Sequence, residues 1–379
     1  MSQVSNKIKL KKITLNGFKS FDHSDHEIKF GDVTVLIGAN GAGKSNLVSF
    51  FKMIGYMMTK ALQQYIGDQG GASSILHFGP KISPRLTAKL EFENESFHDS
   101  YEFSLAHAAK DSMIITEEIL MYHEKTRPNP FRITLSPGIK ESGLPDEILK
   151  QENNAVQQVI YNLLRNCRVY QFHDTSSTSK IRNSGYINDS DYLRSDAGNL
   201  AAFLYSMQQV EETKNYYERI VRHISNIMPQ FGDFVLRSSA RNKEYILLDW
   251  KEKNGDYLFG PHQLSDGTLR FMALATLLLQ TPKKLPPVII LDEPELGLHP
   301  SAISELAGMI RTASRYCQVI IATQSPRLLD EFKLNEIIVI ERENKTSVFR
   351  DFNEQQLENW LKDYSLSELW EKNVIGGQP

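Results

Sequence analysis

The chain has 379 residues, with 43 Lys and Arg against 46 Asp and Glu, which gives a formal net charge of −3. Hydrophobic residues make up 41% and charged residues 23%, a composition typical of globular proteins with a large core. This balance excludes a strongly basic field over the whole chain, although a local nucleic-acid-binding patch stays open.

The two cysteines have no metal-ligand spacing and predict reduced thiols in the cytoplasm. The start, Met1–Lys7, lacks the apolar region of a signal peptide. No stretch reaches the ~20 apolar residues of a membrane span. We therefore expect a cytoplasmic protein with no membrane partner.

Alternating residues at 9–17 predict a first strand, and residues 26–37 predict a short strand followed by a buried one. The run Gly38-Ala39-Asn40-Gly41-Ala42-Gly43-Lys44-Ser45 comes next, and a helical pattern begins at Asn46. This is the phosphate-binding loop G-x-x-x-x-G-K-[ST] between a strand and a helix. Glycines let backbone N–H groups face phosphates, and the helix N-terminus adds positive potential.

In such a loop the ammonium group of Lys44 contacts the β- and γ-phosphates, and the hydroxyl of Ser45 binds Mg²⁺. The sequence therefore predicts binding of a nucleoside triphosphate. The predicted nucleotide-binding residues of this segment are Gly38, Asn40, Gly41, Ala42, Gly43, Lys44, Ser45 and Asn46.

The predicted secondary structure changes along the middle of the chain. Residues 80–135 alternate as antiparallel strands with one exposed face do, and helical spacing dominates 145–165 and 196–228. Between them, 173–191 is rich in Ser, Thr, Asn and Asp and predicts a mobile loop. The α/β pattern resumes near residue 245. We therefore expect a nucleotide domain split into 1–79 and 246–379, with an inserted strand-plus-helix lid or arm at 80–245.

A second buried strand, Val288–Asp292, ends in two acids, Asp292 and Glu293. Ligands of open α/β sheets bind at the carboxyl ends of the strands. Asp292 is therefore predicted to hold Mg²⁺, and Glu293 to orient or deprotonate the attacking water.

The run Leu264-Ser265-Asp266-Gly267-Thr268 precedes a very apolar helix. Taken alone, Ser265 fits two interpretations equally well. It is either a helix N-cap or part of a segment that resembles the LSGGQ signature of ABC-type ATPases. In that signature Ser265 and Gly267 would bind the γ-phosphate of ATP held by another subunit. The order of the motifs along the chain favours the signature.

A third buried strand runs from Val319 to Thr323 and places Gln324 near the γ-phosphate as a second candidate catalytic residue. ABC-type enzymes usually carry His there. Gln can hydrogen-bond phosphate or water but cannot take up charge at neutral pH.

Together with Gly17-Phe18-Lys19-Ser20-Phe21, Pro294-Glu295 and Gly297-Leu298-His299-Pro300, these motifs resemble the RecF/SMC/OLD-related AAA family ATPases. Members of this group are ABC-type ATPases without a transporter, and the short ATPases of bacterial defence and toxin-like operons are the nearest in pattern. The resemblance covers both ends of the chain and the motif core, and is weak across the insertion.

The resemblance implies an α/β P-loop NTPase with an ABC-type ATPase head, a mixed sheet and an α+β insertion. It also implies ATP and Mg²⁺ as cofactors and a homodimer or higher oligomer that closes around ATP. Hydrolysis would then act as a switch on a nuclease or toxin-like partner effector, in DNA-linked processes or anti-phage defence. Two rival functions stay open: an ATP- or DNA-sensing scaffold with little hydrolysis, and a stand-alone DNA-repair clamp.

Four further features of the sequence could suggest a nuclease domain, a nucleotide contact, a metal site or guanine recognition, and a simpler interpretation is favoured for each. The roughly 40 residues after Ile340 are too few for the nuclease domain of OLD-type proteins. His77 falls where ABC-type enzymes carry a Gln-bearing loop, but a structural His is favoured. Asp189 and Asp191 are expected to be solvated acids rather than metal ligands. The run from Asn344 to Ser347 lacks the Asp of a guanine-reading motif, so ATP is the favoured nucleotide.

Overall fold

The computed structural model describes residues 8–135, 137–150, 155–238, 242–352, 354–357 and 359–378. The start of the chain at 1–7, where we expect no signal peptide, lies outside these ranges. The strands are β1 Lys9–Asn16, β2 His26–Lys29, β3 Val33–Ile37, β4 Arg85–Glu93, β5 Phe97–Ala108, β6 Ser112–Glu124, β7 Phe131–Thr134, β8 Cys167–Tyr170, β9 Gly185–Tyr186, β10 Phe231–Val235, β11 Tyr245–Ile246, β12 Asp249–Glu252, β13 Leu258–Phe259, β14 Val288–Asp292, β15 Gln318–Thr323, β16 Ile337–Glu343 and β17 Thr346–Asp351.

The α-helices lie between groups of these strands. They are α1 Lys44–Met58, α2 Leu62–Asp68, α3 Ala72–Ile75, α4 Leu144–Leu149, α5 Ala155–Arg165, α6 Leu200–Gln209, α7 Glu211–Ile227, α8 Asp266–Leu279, α9 Pro300–Ala313, α10 Pro326–Leu329, α11 Glu354–Leu357 and α12 Leu366–Glu371.

A six-stranded mixed sheet carries the predicted nucleotide motifs, in the order β17-β16-β3-β15-β14-β8. Its strands from β16 to β8 run parallel, and β17 adds an antiparallel edge. Every residue of β3, β14 and β15 is buried. Continuous burial is what a parallel sheet covered on both faces requires, which explains the unbroken apolar runs in the sequence.

A second six-stranded sheet is antiparallel, in the order β2-β1-β4-β5-β6-β7. Burial alternates along β4, so one face of that strand packs inward and the other is partly exposed. The antiparallel strands predicted between 80 and 135 are therefore confirmed.

The parallel sheet lies between two hydrophobic cores, and each core contains side chains from its strands. On β14, Val288 and Ile290 join the core that contains α1 and the antiparallel sheet. Ile289 and Leu291 point the other way, into the core that contains α6 to α9. This alternation follows from the period of two along a strand. Within the described ranges, no helix combines the length and apolar character needed to cross a membrane.

The predicted insertion shares both large sheets with the flanking segments. Strand β4 pairs with β1, and β8 pairs with β14, so strands within residues 80–245 extend sheets whose other strands lie outside that segment. The polar segment 173–191, expected to be mobile, is irregular but well packed. Its side chains Thr175, Ser179 and Arg182 are buried. Buried polar groups need hydrogen-bond partners, and those of Arg182 include Pro261 and Leu264, next to the predicted signature.

Candidate nucleotide site

The phosphate loop spans the turn between β3 and α1, as the motif predicts. Gly41 and Gly43 have φ angles of +79° and +125°, in the left-handed region that favours glycine. A Cβ on Gly43 would lie 2.1 Å from Oγ of Ser347, and one on Gly38 would lie 2.2 Å from the carbonyl oxygen of Ile340. The loop therefore packs tightly against β16 and β17, and these glycines cannot be replaced without moving it.

The side chain of Lys44 is buried and turned back into this loop. Its Nζ donates to the carbonyl oxygens of Gly38 and, at 3.1 Å, of Ala39. Burial lowers the pKa of Lys44, and three nearby carboxylates oppose that shift. These carboxylates belong to Glu293, Asp292 and Glu295. The lysine of the loop thus faces the acids at the end of β14.

The remaining loop residues have distinct surroundings. Asn40 and Ser45 are exposed. Asn46 donates from Nδ2 to Oγ of Ser20 at 2.7 Å. The carbonyl oxygen of Ala42 accepts a hydrogen bond of 2.6 Å from the buried hydroxyl of Ser347. Polar groups from two distant segments therefore support the back of the loop.

Asp292 and Glu293 lie at the carboxyl end of β14, beside the end of β15. Glu293 has a φ of 44°, a strained value for a residue with a side chain. Its amide donates to the carbonyl oxygen of Ala322 at 2.8 Å. Nε2 of Gln324 donates to Oε1 of Glu293 at 2.5 Å. The two predicted catalytic side chains are thus in direct contact.

A third acid, Glu295, lies just behind this pair. It accepts a hydrogen bond from the hydroxyl of Thr323, and burial raises its pKa. Its Oε2 has no hydrogen-bond partner among the described residues. The end of β14 is therefore rich in carboxylate oxygens.

Gln171 was not predicted from the sequence, yet it contacts Asp292 directly. It follows β8, the neighbour of β14, and its Nε2 donates to Oδ2 of Asp292. Its Oε1 accepts a hydrogen bond from Nζ of Lys52 on α1. Nε2 of His173 lies 2.9 Å from the carbonyl oxygen of Asp292. The one sequence signal was a short apolar run that ends in an amide, Val169-Tyr170-Gln171.

Ser265 and Gly267 lie at the start of α8. Ser265 is exposed and is the N-cap, since its Oγ accepts from the amide of Thr268 at 3.1 Å. A Cβ on Gly267 would lie 2.2 Å from the carbonyl oxygen of Gly297, so only glycine fits there without movement. The described contacts of both residues run to Thr268, Leu269 and Gly297 rather than to the phosphate loop of the same chain.

Two arginines that were not predicted from the sequence, Arg182 and Arg270, connect this region to the segment that follows Gln171. Arg182 donates to the carbonyl oxygens of Thr175 and Pro261 and forms an ion pair of 2.7 Å with Asp266. Arg270 donates to the carbonyl oxygens of Phe172 at 3.0 Å, of His173 and of Leu296. The segment after Gln171 is thereby tied to the first turn of α8.

His77, Asp189 and the turn at Asn344 have structural roles in their own surroundings. His77 is buried, with Nδ1 2.7 Å from the carbonyl oxygen of Lys19. Asp189 pairs with Arg194 at 2.7 Å. Asn344 and Lys345, both with positive φ, form the turn between β16 and β17. Among the described residues, no group of three or more His, Cys, Asp or Glu side chains is arranged to hold a metal.

The fold is similar to that of SMC head domains. One solved structure, the SmcHead bound to the C-winged helix domain of ScpA, matches with a TM-score of 0.55 and 18% identity, over 92% of this chain and 99% of that one. A Smc head domain with an extended coiled coil, bound to the C-terminal domain of ScpA and derived from Pyrococcus furiosus, has a TM-score of 0.55 and 15% identity. That match covers 94% of this chain and 99% of the other. The predicted ABC-type head with a mixed sheet is confirmed.

No match was found among curated proteins. A protein-family profile described as "AAA domain, putative AbiEii toxin, Type IV TA system" matches residues 33–330, which is more than half of the chain and includes every predicted motif from the phosphate loop to Gln324. The predicted AAA family is thereby confirmed, and the chain belongs to the family that this profile describes.

Proposed function

We propose that this chain is a magnesium-dependent ATP hydrolase that works as a conformational switch. Its main support is the convergence of Lys44, Asp292, Glu293 and Gln324 where β3, β14 and β15 end. A cation in a phosphate loop, a metal-binding acid and a candidate base are the groups that phosphoryl transfer to water needs.

Binding of ATP would exchange the partners of Lys44. Its ammonium group now donates to two loop carbonyl oxygens, Gly38 and Ala39, and would donate to the β- and γ-phosphates instead. Charged acceptors form stronger hydrogen bonds than neutral carbonyls do, so the exchange favours binding.

The residues present fit a hard divalent cation. Ser45 offers an exposed hydroxyl and Asp292 a carboxylate, and oxygen ligands of this kind are those that Mg²⁺ prefers. Three carboxylates near Lys44 would repel a polyphosphate, and a divalent cation would offset this repulsion. Bound Mg²⁺ would neutralise phosphate charge. Ser45 and Asp292 would hold it, and Gln171 would fix the orientation of the Asp292 carboxylate.

Glu293 would accept a proton from the attacking water as general base. Gln324 holds its carboxylate in place through the 2.5 Å hydrogen bond. The amide of Gln324 cannot take up the proton, so proton transfer rests on Glu293.

A second copy of the chain would complete the site. Ser265 is exposed at the N-terminus of a 14-residue helix, where backbone N–H groups and the helix dipole favour an anion. In a head-to-tail dimer, Ser265 and Gly267 of each subunit would contact the γ-phosphate held by Lys44 of the other. ATP would then close the dimer, and hydrolysis would reopen it.

The output would pass through a partner protein. The family description names a putative toxin of a toxin–antitoxin system, and both solved Smc heads are complexes with a domain of ScpA. By analogy, we infer that the ATP-closed state of this chain controls a nuclease or toxin-like effector in genome defence. DNA affinity that falls steeply with salt would instead favour a DNA-repair clamp.

One observation favours a slower version of the same switch. The hydrogen bond from Gln324 occupies a lone pair of the Glu293 carboxylate, and that lone pair is then not available to the attacking water. In this second candidate function, the chain binds ATP, closes and hydrolyses little, as a sensing scaffold would.

Replacement of Lys44 by Ala tests the proposal. Equilibrium ATP affinity should fall about tenfold or more, because charge-assisted hydrogen bonds to two phosphates are lost. Lys29→Ala, which removes an exposed lysine on β2, is the matched control and should leave the affinity unchanged. Phosphate release by the unaltered chain, with Mg²⁺ and with a chelator, separates hydrolysis from sensing. Unchanged affinity in Lys44→Ala would contradict the assignment of the loop.

A further inference from the structure

A cavity of about 580 Å³ opens beside α1, between that helix, β8 and the segment around residue 192. Its volume lies within the roughly 300–1,000 Å³ of small-molecule sites. Lys52 lines it and follows Lys44 by eight residues on α1, about 12 Å along the helix. The cavity is therefore separate from the phosphate loop.

The cavity is strongly cationic. Lys52, Arg165 and Arg168 line it, and none of its described lining residues is an Asp or Glu. Arg165 contacts the hydroxyl of Tyr161 at 3.4 Å, and Arg168 contacts Oδ1 of Asn166 at 3.3 Å.

Tyr161 and Asn166 are uncharged, and so is Gln171, which accepts a hydrogen bond from Lys52. In the part of the chain that the structure describes, none of the three cations forms an ion pair with a carboxylate. Burial lowers the pKa of Lys52, although the negative charge of nearby Asp292 opposes that shift. A ligand with two or more negative charges would oppose it further, and guanidinium groups match the geometry of phosphate oxygens.

Planar groups lie next to the cations. The guanidinium of Arg168 is 3.9 Å from the ring centre of Tyr192, whose side chain is 50% exposed. Tyr56 and the hydroxyl-bearing Ser195 also line the cavity. Aromatic rings and guanidinium planes stack on nucleobases, and hydroxyls bond to sugar or base edges.

We propose that this cavity is a second nucleotide-binding site, which takes a phosphate group joined to a nucleobase. Lys52 and Arg165 bind the phosphate, and the base stacks beside Tyr192 and Arg168. The ligand is either a free mononucleotide or the phosphorylated end of a nucleic-acid strand. Lys52 also donates a hydrogen bond to Gln171, and Gln171 donates one to Asp292, the candidate metal ligand. The side chain of Gln171 therefore links the proposed second site to the candidate metal site.

The test uses AMP as probe and the full chain carrying Lys44→Ala. This background removes the lysine of the phosphate loop, and AMP lacks the β- and γ-phosphates that such a loop binds. Calorimetry should show one saturable AMP site per chain. Absence of saturable binding would overturn the proposal, whatever the outcome for ATP hydrolysis.

Adding Arg165→Ala and Arg168→Ala to that background should weaken AMP binding about tenfold or more, through loss of charge-assisted hydrogen bonds. Both side chains are at least partly exposed, so the fold should tolerate the changes. Arg315→Ala, an exposed arginine just after α9 and outside the cavity, is the matched control and should leave AMP affinity unchanged. Equal affinity in the double variant and the control would overturn the proposal.

Two further ligands complete the test. Orthophosphate should bind at least tenfold more weakly than AMP, because it cannot stack, and equal affinity would overturn the assignment of a nucleobase. A 5′-phosphorylated single-stranded oligonucleotide identifies the source. Exclusion of the strand supports a free mononucleotide, and tighter binding than AMP supports a nucleic-acid end.

Discussion

The backbone of Glu293 shows how the fold prepares the candidate site at the scale of a single residue. A positive φ on a non-glycine residue costs about 1–3 kcal/mol and persists only where the surroundings impose it. Here the amide bond to Ala322 and the contact from Gln324 hold the residue in that conformation. In this conformation the carboxylate of Glu293 contacts Gln324. Strain of this kind is typical of sites where orientation matters for chemistry.

Replacement of Glu293 by Gln should separate binding from chemistry. ATP affinity should stay within about threefold of the original, while hydrolysis should slow about 100-fold or more, because an amide cannot accept the proton. Single-turnover phosphate release measures the rate, and Glu244→Gln, an exposed acid elsewhere, is the control. Hydrolysis at the unaltered rate would exclude Glu293 as the base.

At the scale of elements, the first turn of α8 is held by close packing and by two arginines. Gly267 lies against the turn at Gly297, and Arg182 and Arg270 bind the segment that follows Gln171. The candidate metal site and the candidate signature are therefore parts of one packed unit.

Replacement of Gly267 by Ala should test this packing. The added Cβ would lie 2.2 Å from a backbone oxygen, so α8 or the turn must move, at a cost of about 1–3 kcal/mol in unfolding free energy. Gly308→Ala on α9 is the matched control. No neighbouring atom lies within 4 Å of its added Cβ, and the change should be neutral or stabilise by up to about 1 kcal/mol. Denaturant unfolding of both variants decides, and equal stabilities would contradict the close approach.

The antiparallel sheet contains a pH-sensitive carboxylate. Asp99 on β5 is buried, and burial raises its pKa to about 6, although the amide of His123 opposes the shift. Between about pH 4 and pH 6 the folded chain binds more protons than the unfolded chain, so stability falls as the pH rises through this window. Above pH 6 the loss is complete.

Replacement of Asp99 by Asn should remove this loss. The unfolding free energy of the variant minus that of the unaltered chain should be about 2 kcal/mol larger at pH 8 than at pH 4. Urea unfolding at both values measures the gain. Asp68→Asn, at the exposed end of α2, should show no such gain. An equal stability difference at both pH values would show that Asp99 is charged when folded.

At the scale of the whole molecule, the proposed sites are composite. A Ser265→Arg chain should bind ATP at its own Lys44 and fail to close, and a Lys44→Ala chain should fail to bind. Mixing them should restore part of the ATPase activity, because one of the two sites then joins an intact loop to an intact signature. Each parent homodimer lacks such a site.

Steady-state ATPase assays of the mixture and of each parent check this prediction. A pull-down with two different tags controls for formation of the mixed dimer. If the mixed dimer forms and stays inactive, either the assignment of Ser265 is wrong or both sites must act together.

Much of the fold was predictable because its signals are local. The phosphate loop lies between β3 and α1 as its eight-residue motif requires, and β3, β14 and β15 were recognised as continuous apolar runs. Backbone conformation and burial pattern depend on residues a few positions apart, and the sequence displays these directly. The family and the α/β class therefore followed from the sequence alone.

The remaining contacts of the candidate site were decided by tertiary structure. Gln171 and Asp292 are 121 residues apart, and Arg182 and Asp266 are 84 apart. Nothing in the local pattern of a short strand such as β8 shows which neighbour it will pair with, because side-chain periodicity sets the buried face and not the partner. The pairing of β8 with β14 brings Gln171 to Asp292, and the packing of 173–191 under α8 gives Arg182 its role.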